Sequence, residues 1–418
     1  MAAAKRIIIC CDGTWNEPDE IPTNVTKLVR AISPLSPDGV HQVVFYDQGV
    51  GTGGSIDKFI GGAFGSGLEK NVLDCYRFLI HNYQLGDEIY CFGFSRGAYT
   101  ARAFVGLINA VGLLEKSTLD KLKQAYKYYR TEPDKRAEGQ YEDNYRPDIR
   151  MVGVFDTVGA LGAPTPLLGK FTRNWVGFFN TRICAQVKYA YHALALDERR
   201  APFQPDLWTG SLQEDQYMEQ CWFAGAHSDI GGGYAECGLS DIALQWMVGK
   251  AMALGLEFNQ SYLDALCKPD FAMQPHNSYS FSYKILEKMG AGESVRRVYG
   301  DPADPPINVS IHDSVYQRLA AGQYKPLNPD FPTADKAADR RSKIRFQATD
   351  TPVARLSLKE FAANCQLLDY SKNGGARIQY DGELKAGDRL TIDCESFGSS
   401  QAQCVWKKGN QFGLRFAS

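Results

Sequence analysis

The sequence predicts an α/β protein: a mostly parallel sheet with helices on both faces, followed by a small all-β module. Three observations carry that prediction. From Lys5 to about Ala320, short apolar runs alternate with stretches of helical periodicity, the pattern of parallel strands buried on both faces and joined by helices. Several runs end in a polar residue, at Asp12, Asp47, Ser95, Asp156 and His227, and open α/β sheets gather their working groups at such strand ends. After a Pro- and Asp-rich break, helical periodicity gives way to short alternating segments separated by glycines.

Strands are expected at Arg6–Cys11, Gln42–Asp47, Glu88–Phe94, Arg150–Phe155 and Gln220–Ala224. Leu68, Val72, Cys75 and Leu79 mark one helix face, and Ala98, Ala101, Val105 and Ile108 another. Ile242 to Met252 reads as a further helix, and His192, in YHALALDERR, as part of a helical or capping segment. The stretch Gly322–Asp339, GQYKPLNPDFPTADKAAD, reads as a linker. It separates a first domain, 1–321, from a second, 340–418. In the second, Arg377–Ile378, Asp388–Ile392, Ala402–Trp406 and Gly413–Phe416 are short strands with Gly turns, suited to a small barrel.

Composition narrows the function classes. A length of 418 residues suits two domains, and 44% apolar with 22% charged residues is ordinary for a globular protein. A net charge of −2 argues against nucleic-acid binding through bulk electrostatics. Eleven cysteines include no C-x-x-C pair, so neither a metal site nor a disulfide framework is indicated. Cys10, Cys11, Cys75, Cys91 and Cys221 lie in apolar runs, which fits a reducing compartment. The first apolar run is too short for a signal peptide or a membrane span. A cytoplasmic location is therefore expected, with export only by a route that reads no such signal.

Between the strand ending at Phe94 and the helix that follows lies Gly93-Phe94-Ser95-Arg96-Gly97, a G-x-S-x-G turn. Such a turn exposes a strained serine at the sheet edge, and glycines flank it because the backbones crowd there. A serine hydroxyl becomes a nucleophile when an imidazole takes its proton and a carboxylate orients the imidazole. His227 follows an apolar strand and precedes the turn Ser228 to Gly233, making it the first candidate base; His312, in SIHDSVYQRL, is the reserve. Asp156 is the candidate orienting acid and Asp229 its alternative. The Gly13 amide, after the first strand, and the Arg96 amide are candidate oxyanion donors. The run Gly49 to Gly54 fits G-x-G-x-x-G, but more glycines follow without a clean helix start, which suits a flexible rim better than a dinucleotide site. Leu167–Asn180, with Trp175, Phe178 and Phe179 among polar residues, is a candidate lid or peripheral membrane contact.

Seven segments, CCDGTWN, TNVTKLVRAI, YDQGVGTGG, GFSRGAYTAR, VFDTVGALG, YHALALDERR and WFAGAHSDIGGGY, occur in this order over residues 5 to 320. Together they resemble the α/β-hydrolase family that includes phospholipase effectors of type VI secretion. The resemblance implies a Ser–Asp–His esterase or lipase acting on phospholipid or a related ester, with Ser95, Asp156 and His227 in those roles and no cofactor for catalysis.

Arg341 to Arg345 is R-x-x-x-R, preceded by Arg340, and 24 positions after Arg345 begins Asp369-x-Ser371-x-x-Gly374. Guanidinium groups bind phosphate bidentately and stack on bases, and a short Asp/Ser turn ending in Gly can accept from a guanine edge. With GGARI, AGDRLTI, CVW and FGLRF, this segment resembles a PilZ domain. That resemblance implies a β-barrel binding cyclic di-GMP through Arg340, Arg341, Arg345, Asp369, Ser371 and Gly374. The sequence thus points to a serine hydrolase regulated by cyclic di-GMP. The alternative is a non-enzymatic receptor whose hydrolase-like domain binds a partner.

Overall fold

The computed structural model describes residues 4–13, 21–49, 63–158, 181–278, 292–322, 324–332, 346–347, 353–358, 361–371, 375–385, 387–394, 398–408 and 411–416. The chain divides into two compact units, Met1–Ala334 and Asp335–Ser418.

In the first unit seven strands form one sheet: β1 (Arg6–Cys11), β2 (Gln42–Asp47), β3 (Glu88–Phe94), β4 (Ile149–Phe155), β5 (Val187–Ala195), β6 (Tyr217–Phe223) and β7 (Val309–Ile311). Their order is β2-β1-β3-β4-β5-β6-β7, and every pairing is parallel. Alternation along β1 shows how the sheet is covered. Ile7 and Ile9 join one core with Leu68, Val72, Leu79, Phe104 and Ile108, whereas Ile8 and Cys10 join another with Val25, Leu28, Met247 and Ala251. Helices α1 (Asn24–Ala31) and Gly238–Ala253 lie on the second face, α2 (Ala63–Asn82) and α3 (Arg96–Val111) on the first. The strand order reverses direction between β1 and β3, and in doubly wound sheets the crevice at that reversal is where ligands bind.

The first unit departs from two of the expectations. His192 is not helical: it lies inside β5, fully buried, with partners on both β4 and β6. The alanines around it weaken the β signal, and burial on both faces decides the outcome. The expected linker is also shorter than the composition suggests. Within 324–332, Tyr324 and Phe331 pack against the cluster of Leu194, Trp222, Val298 and Val315. The same stretch bonds to the rest of the first unit through Tyr324, Asn328 and Asp330.

The second unit is all-β. Strands β9 (Val353–Leu358), β10 (Phe361–Ser371), β11 (Gly375–Gln379), β14 (Gln411–Phe416), β13 (Gly398–Lys408) and β12 (Arg389–Cys394) pair in a closed antiparallel ring. The short β8 (Phe346–Gln347) adds to β10. Closure leaves these six strands without open edges around Leu356, Ile378, Leu390, Ile392, Phe412 and Leu414. Asp369 and Ser371, expected in a turn, are the last residues of β10 instead, where Asp369 pairs with Arg377 and Ser371 with Gly375. Arg340, Arg341, Arg345 and Gly374 lie outside the described residues.

Among the described residues no single helix is long and apolar enough to cross a membrane. The ten cysteines with described side chains are free thiols.

Candidate active site

Ser95 follows β3, a strand at the reversal of the strand order. Its backbone is left-handed, φ 56° and ψ −122°, and it immediately precedes α3. A side chain there costs about 1–3 kcal/mol of conformational strain, so the surroundings must enforce the turn. The flanking glycines show how. A Cβ on Gly97 would stand 2.2 Å from the Cys11 carbonyl oxygen, and one on Gly93 would stand 2.6 Å from the Ala98 Cα. The Ser95 N–H donates to the Phe155 carbonyl (3.0 Å), tying the turn to the end of β4. The outcome is a serine, 8% exposed, at the head of a helix.

His227 opens the short helix His227–Gly231 that follows β6. Its Nε2 accepts from Ser95 Oγ at 2.8 Å, and its Nδ1 donates to Asp156 Oδ2 at 2.5 Å. Phe94 and Phe203 flank the ring at centroid distances of 4.7 and 5.0 Å. Burial lowers the His227 pKa, with Asp156 partly opposing the shift, so the site favours the neutral ring, the form that can accept a proton. The N–H of His227 donates to Glu198 Oε2 (3.2 Å). Glu198 is itself fully buried and gripped by Arg200 through Nε (2.9 Å) and Nη2 (2.8 Å). Burial alone would raise Glu198, but the Arg200 bonds outweigh it and leave the carboxyl at about 2.

Asp156 follows β4 and also has a left-handed backbone, φ 40°. It is fully buried, and its Oδ1 accepts the Ala195 N–H at 3.0 Å. A residue without any sequence signal completes this arrangement. Arg296 forks onto Asp156, with Nη1 to Oδ1 at 2.6 Å and Nη2 to Oδ2 at 3.0 Å. It also donates to the carbonyls of Ala195 and Phe203. Burial would push the Asp156 carboxyl up, yet the Arg296 charge and the His227 bond hold it well below the ordinary carboxylate range. The site can therefore hold an anion, a neutral imidazole and a hydroxyl in one hydrogen-bonded line.

Of the other nominated residues, His312 and Asp229 have different roles. His312 caps the helix Asp313–Ala320, its Nδ1 accepting the Ser314 N–H (3.2 Å), and its ring stacks on Phe223. Asp229 accepts the Ala226 N–H and pairs with His276 Nδ1 at 2.6 Å, so it caps the His227 helix instead of orienting His227. The Gly13 N–H donates to Asp12 Oδ1 (2.7 Å), against the expectation that it faces the oxyanion. Asp12 is 1% exposed and also receives Thr23, Thr26 and Tyr46 hydroxyls at 2.6, 2.9 and 2.8 Å, a knot joining β1, α1 and β2. Arg96 is the first residue of α3, which places its amide at the helix N-terminus beside Ser95. The candidate rim from Val50 to Gly54 and the candidate lid Leu167–Asn180 lie outside the described residues, and no group of side chains able to hold a metal occurs among the described ones.

Residues 5–250 match the model of the family described as T6SS, Phospholipase effector Tle1-like, catalytic domain. An uncharacterized protein of Saccharomyces cerevisiae is 30% identical over 232 residues, 49% of this chain and 32% of that relative, so the chain spans about a third of the curated relative it matches. The structure of the Tle1 effector bound to the VgrG spike from the type 6 secretion system aligns at 20% identity and TM-score 0.34, over 56% of this chain and 51% of that one. The crystal structure of the Borreliella burgdorferi PlzA protein in complex with c-di-GMP aligns at 16% identity and TM-score 0.15, over 25% of this chain and 38% of that one.

Proposed function

The chain belongs to the family of T6SS Tle1-like phospholipase effector catalytic domains, and from that premise we propose that it is a serine hydrolase cleaving phospholipid or related ester bonds. The observation that carries the reading is the unbroken line Ser95 Oγ–His227 Nε2–Nδ1–Asp156 Oδ2 at 2.8 and 2.5 Å. Ser95 attacks the acyl carbon while His227 takes its proton and then delivers it to the leaving alcohol. Asp156 remains ionised, fixes the tautomer and stabilises the imidazolium. The oxyanion is assigned to the Arg96 amide and the N-terminal end of α3, because the Gly13 amide is committed to Asp12. Water then attacks the acyl-enzyme with His227 again as base.

For the second unit we propose a PilZ-like receptor for cyclic di-GMP. The closed antiparallel ring supports it, as do the R-x-x-x-R and D-x-S-x-x-G motifs in the sequence. Ligand binding there sets the hydrolytic rate of the first unit, which requires different affinities for two states of the chain. The free thiols fit action in a reducing cytoplasm.

The decisive experiment incubates wild type and Ser95→Ala with phospholipid vesicles and p-nitrophenyl esters, with and without cyclic di-GMP. Fatty-acid release by wild type alone is expected. Equal release by both proteins rejects Ser95 as nucleophile, and a rate indifferent to bound cyclic di-GMP rejects the regulation.

A further inference from the structure

The support of Asp156 leads away from the strand ends to an unexpected part of the chain. Arg296 lies on no helix or strand, yet it is 0% exposed and reaches both oxygens of a carboxylate 140 positions earlier in sequence. A fork of two parallel N–H···O bonds fixes the carboxylate plane as well as its charge. That plane decides where Oδ2 points, and Oδ2 is the atom bonded to His227 Nδ1.

Arg296 is in turn held from behind. Its own carbonyl accepts from Asn328 Nδ2 at 3.0 Å, and the same amide group donates to the Leu196 carbonyl at 3.1 Å. Two residues further on, Asp330 receives the N–H groups of Val298 and Tyr299 at 2.8 and 2.9 Å. Tyr324 OH donates to Asp197, beside the Glu198 that holds the His227 N–H. One short strap, 324–332, therefore grips both backbone segments that support the acid and the base. It is the last described stretch of the first unit, which ends at Ala334.

We propose that Arg296 is a positioning residue for the Ser95–His227–Asp156 site, held in place by Asn328 and Asp330 of the strap. Turnover then depends on how tightly 324–332 grips the first unit, although no strap residue touches the reacting atoms. This inference rests on the hydrolase reading and adds to it the element that sets the rate.

A positioning role differs from a packing role in its dependence on pH. Among the described residues, the charged or titratable groups facing the Asp156–His227 pair are Arg296, Glu198 with its partner Arg200, and the neutral His192 one strand away. Removing the fixed positive charge of Arg296 makes the pair bind a proton at higher pH, so the acid limb of kcat/KM moves upward. A packing role predicts less folded protein with the limb unmoved.

The test measures kcat, KM, pH profile and thermal midpoint for wild type, Arg296→Met, Arg296→Lys and Asn328→Ala, all in the full chain. A fluorophosphonate probe on wild type and Ser95→Ala serves as reference. In Arg296→Met, kcat is expected to fall about 100-fold at nearly constant KM, as for a small misplacement of a catalytic group, with the acid limb shifted up. Arg296→Lys keeps the charge without the fork, so the limb returns to its wild-type position while kcat recovers only in part. Asn328→Ala lowers kcat with the limb little changed. Should Arg296→Met fail to fold, Arg296→Lys and Asn328→Ala decide the matter. Folded Arg296→Lys and Asn328→Ala proteins with wild-type kcat overturn the inference alone. Wild type unlabelled by the probe overturns the hydrolase reading and the inference with it.

Discussion

His192 Nε2 accepts the backbone N–H of Thr157 at 3.0 Å, so a histidine inside β5 holds the residue that follows Asp156. The bond needs a neutral ring with its proton on Nδ1. Burial pushes the His192 pKa down to about 3. The unfolded chain therefore binds a proton at this position between pH 6.5 and 3 that the folded chain does not. Stability is complete above that window and is lost as pH falls through it. In His192→Gln the slope of unfolding free energy against pH should shrink by up to about 1.4 kcal/mol per unit within the window. Denaturant titrations at several pH values check this, and an unchanged slope would contradict it.

Replacing Ser95 by alanine should lower kcat on any ester substrate by at least about 10⁴-fold, the scale seen when a nucleophile of this kind is deleted. Its Oγ bonds only to a histidine side chain among the pairs described, so the fold should persist. Steady-state rates and a circular dichroism melt on the same sample separate the two effects.

Gly97→Ala should be far more damaging to the fold than Ser95→Ala. The new methyl would meet the Cys11 and Asp12 carbonyl oxygens at 2.2 and 2.3 Å, both backbone atoms that cannot swing aside. A loss of about 3 kcal/mol or more is expected, at the upper end for overpacking. A midpoint shift in urea unfolding measures it.

The acid limb of kcat/KM should lie below the ordinary imidazole value of 6.5, because burial lowers His227 and only the neutral ring accepts the Ser95 proton. Activity therefore rises as pH rises through the lowered His227 value, below 6.5. A limb above 6.5 in wild type would show that some other group is the base.

In the second unit, Arg341→Ala should weaken cyclic di-GMP binding by about tenfold or more, the usual loss for a charge-assisted phosphate contact. Activity without ligand should stay near wild type. Titration calorimetry alongside an ester assay reads both.

The strand-end grammar of the sheet made much of the site legible. Ser95, Asp156 and His227 were each nominated from an apolar run followed by a polar residue, and the folded chain brings those three together. Arg296 was invisible because it lies between Val295 and Arg297 in a segment without periodicity, and only the three-dimensional approach of residues 156 and 296 gives it meaning. Gly13 misled for a different reason: its neighbour's carboxylate competes for the amide, and rotamers are not written in sequence. The strap misled because Pro, Asn and Asp suggest a solvated connector, whereas here Asn328 and Asp330 satisfy buried backbone groups.

Of the described non-glycine residues, Ser95, Asp156 and Asn308 have left-handed backbones. Two of the three belong to the proton-transfer line, so a campaign to harden this scaffold by glycine substitution at unfavourable torsions would disarm it first. Asn308 is the position to exploit, since the described bond of its side-chain amide goes to the Met218 carbonyl near the start of β6. A thermostability selection run without an activity screen would be drawn to residue 95, where no buried charge is left unpaired, and would return sturdy, inert proteins; at residue 156 the loss of the carboxylate strands the buried Arg296 charge.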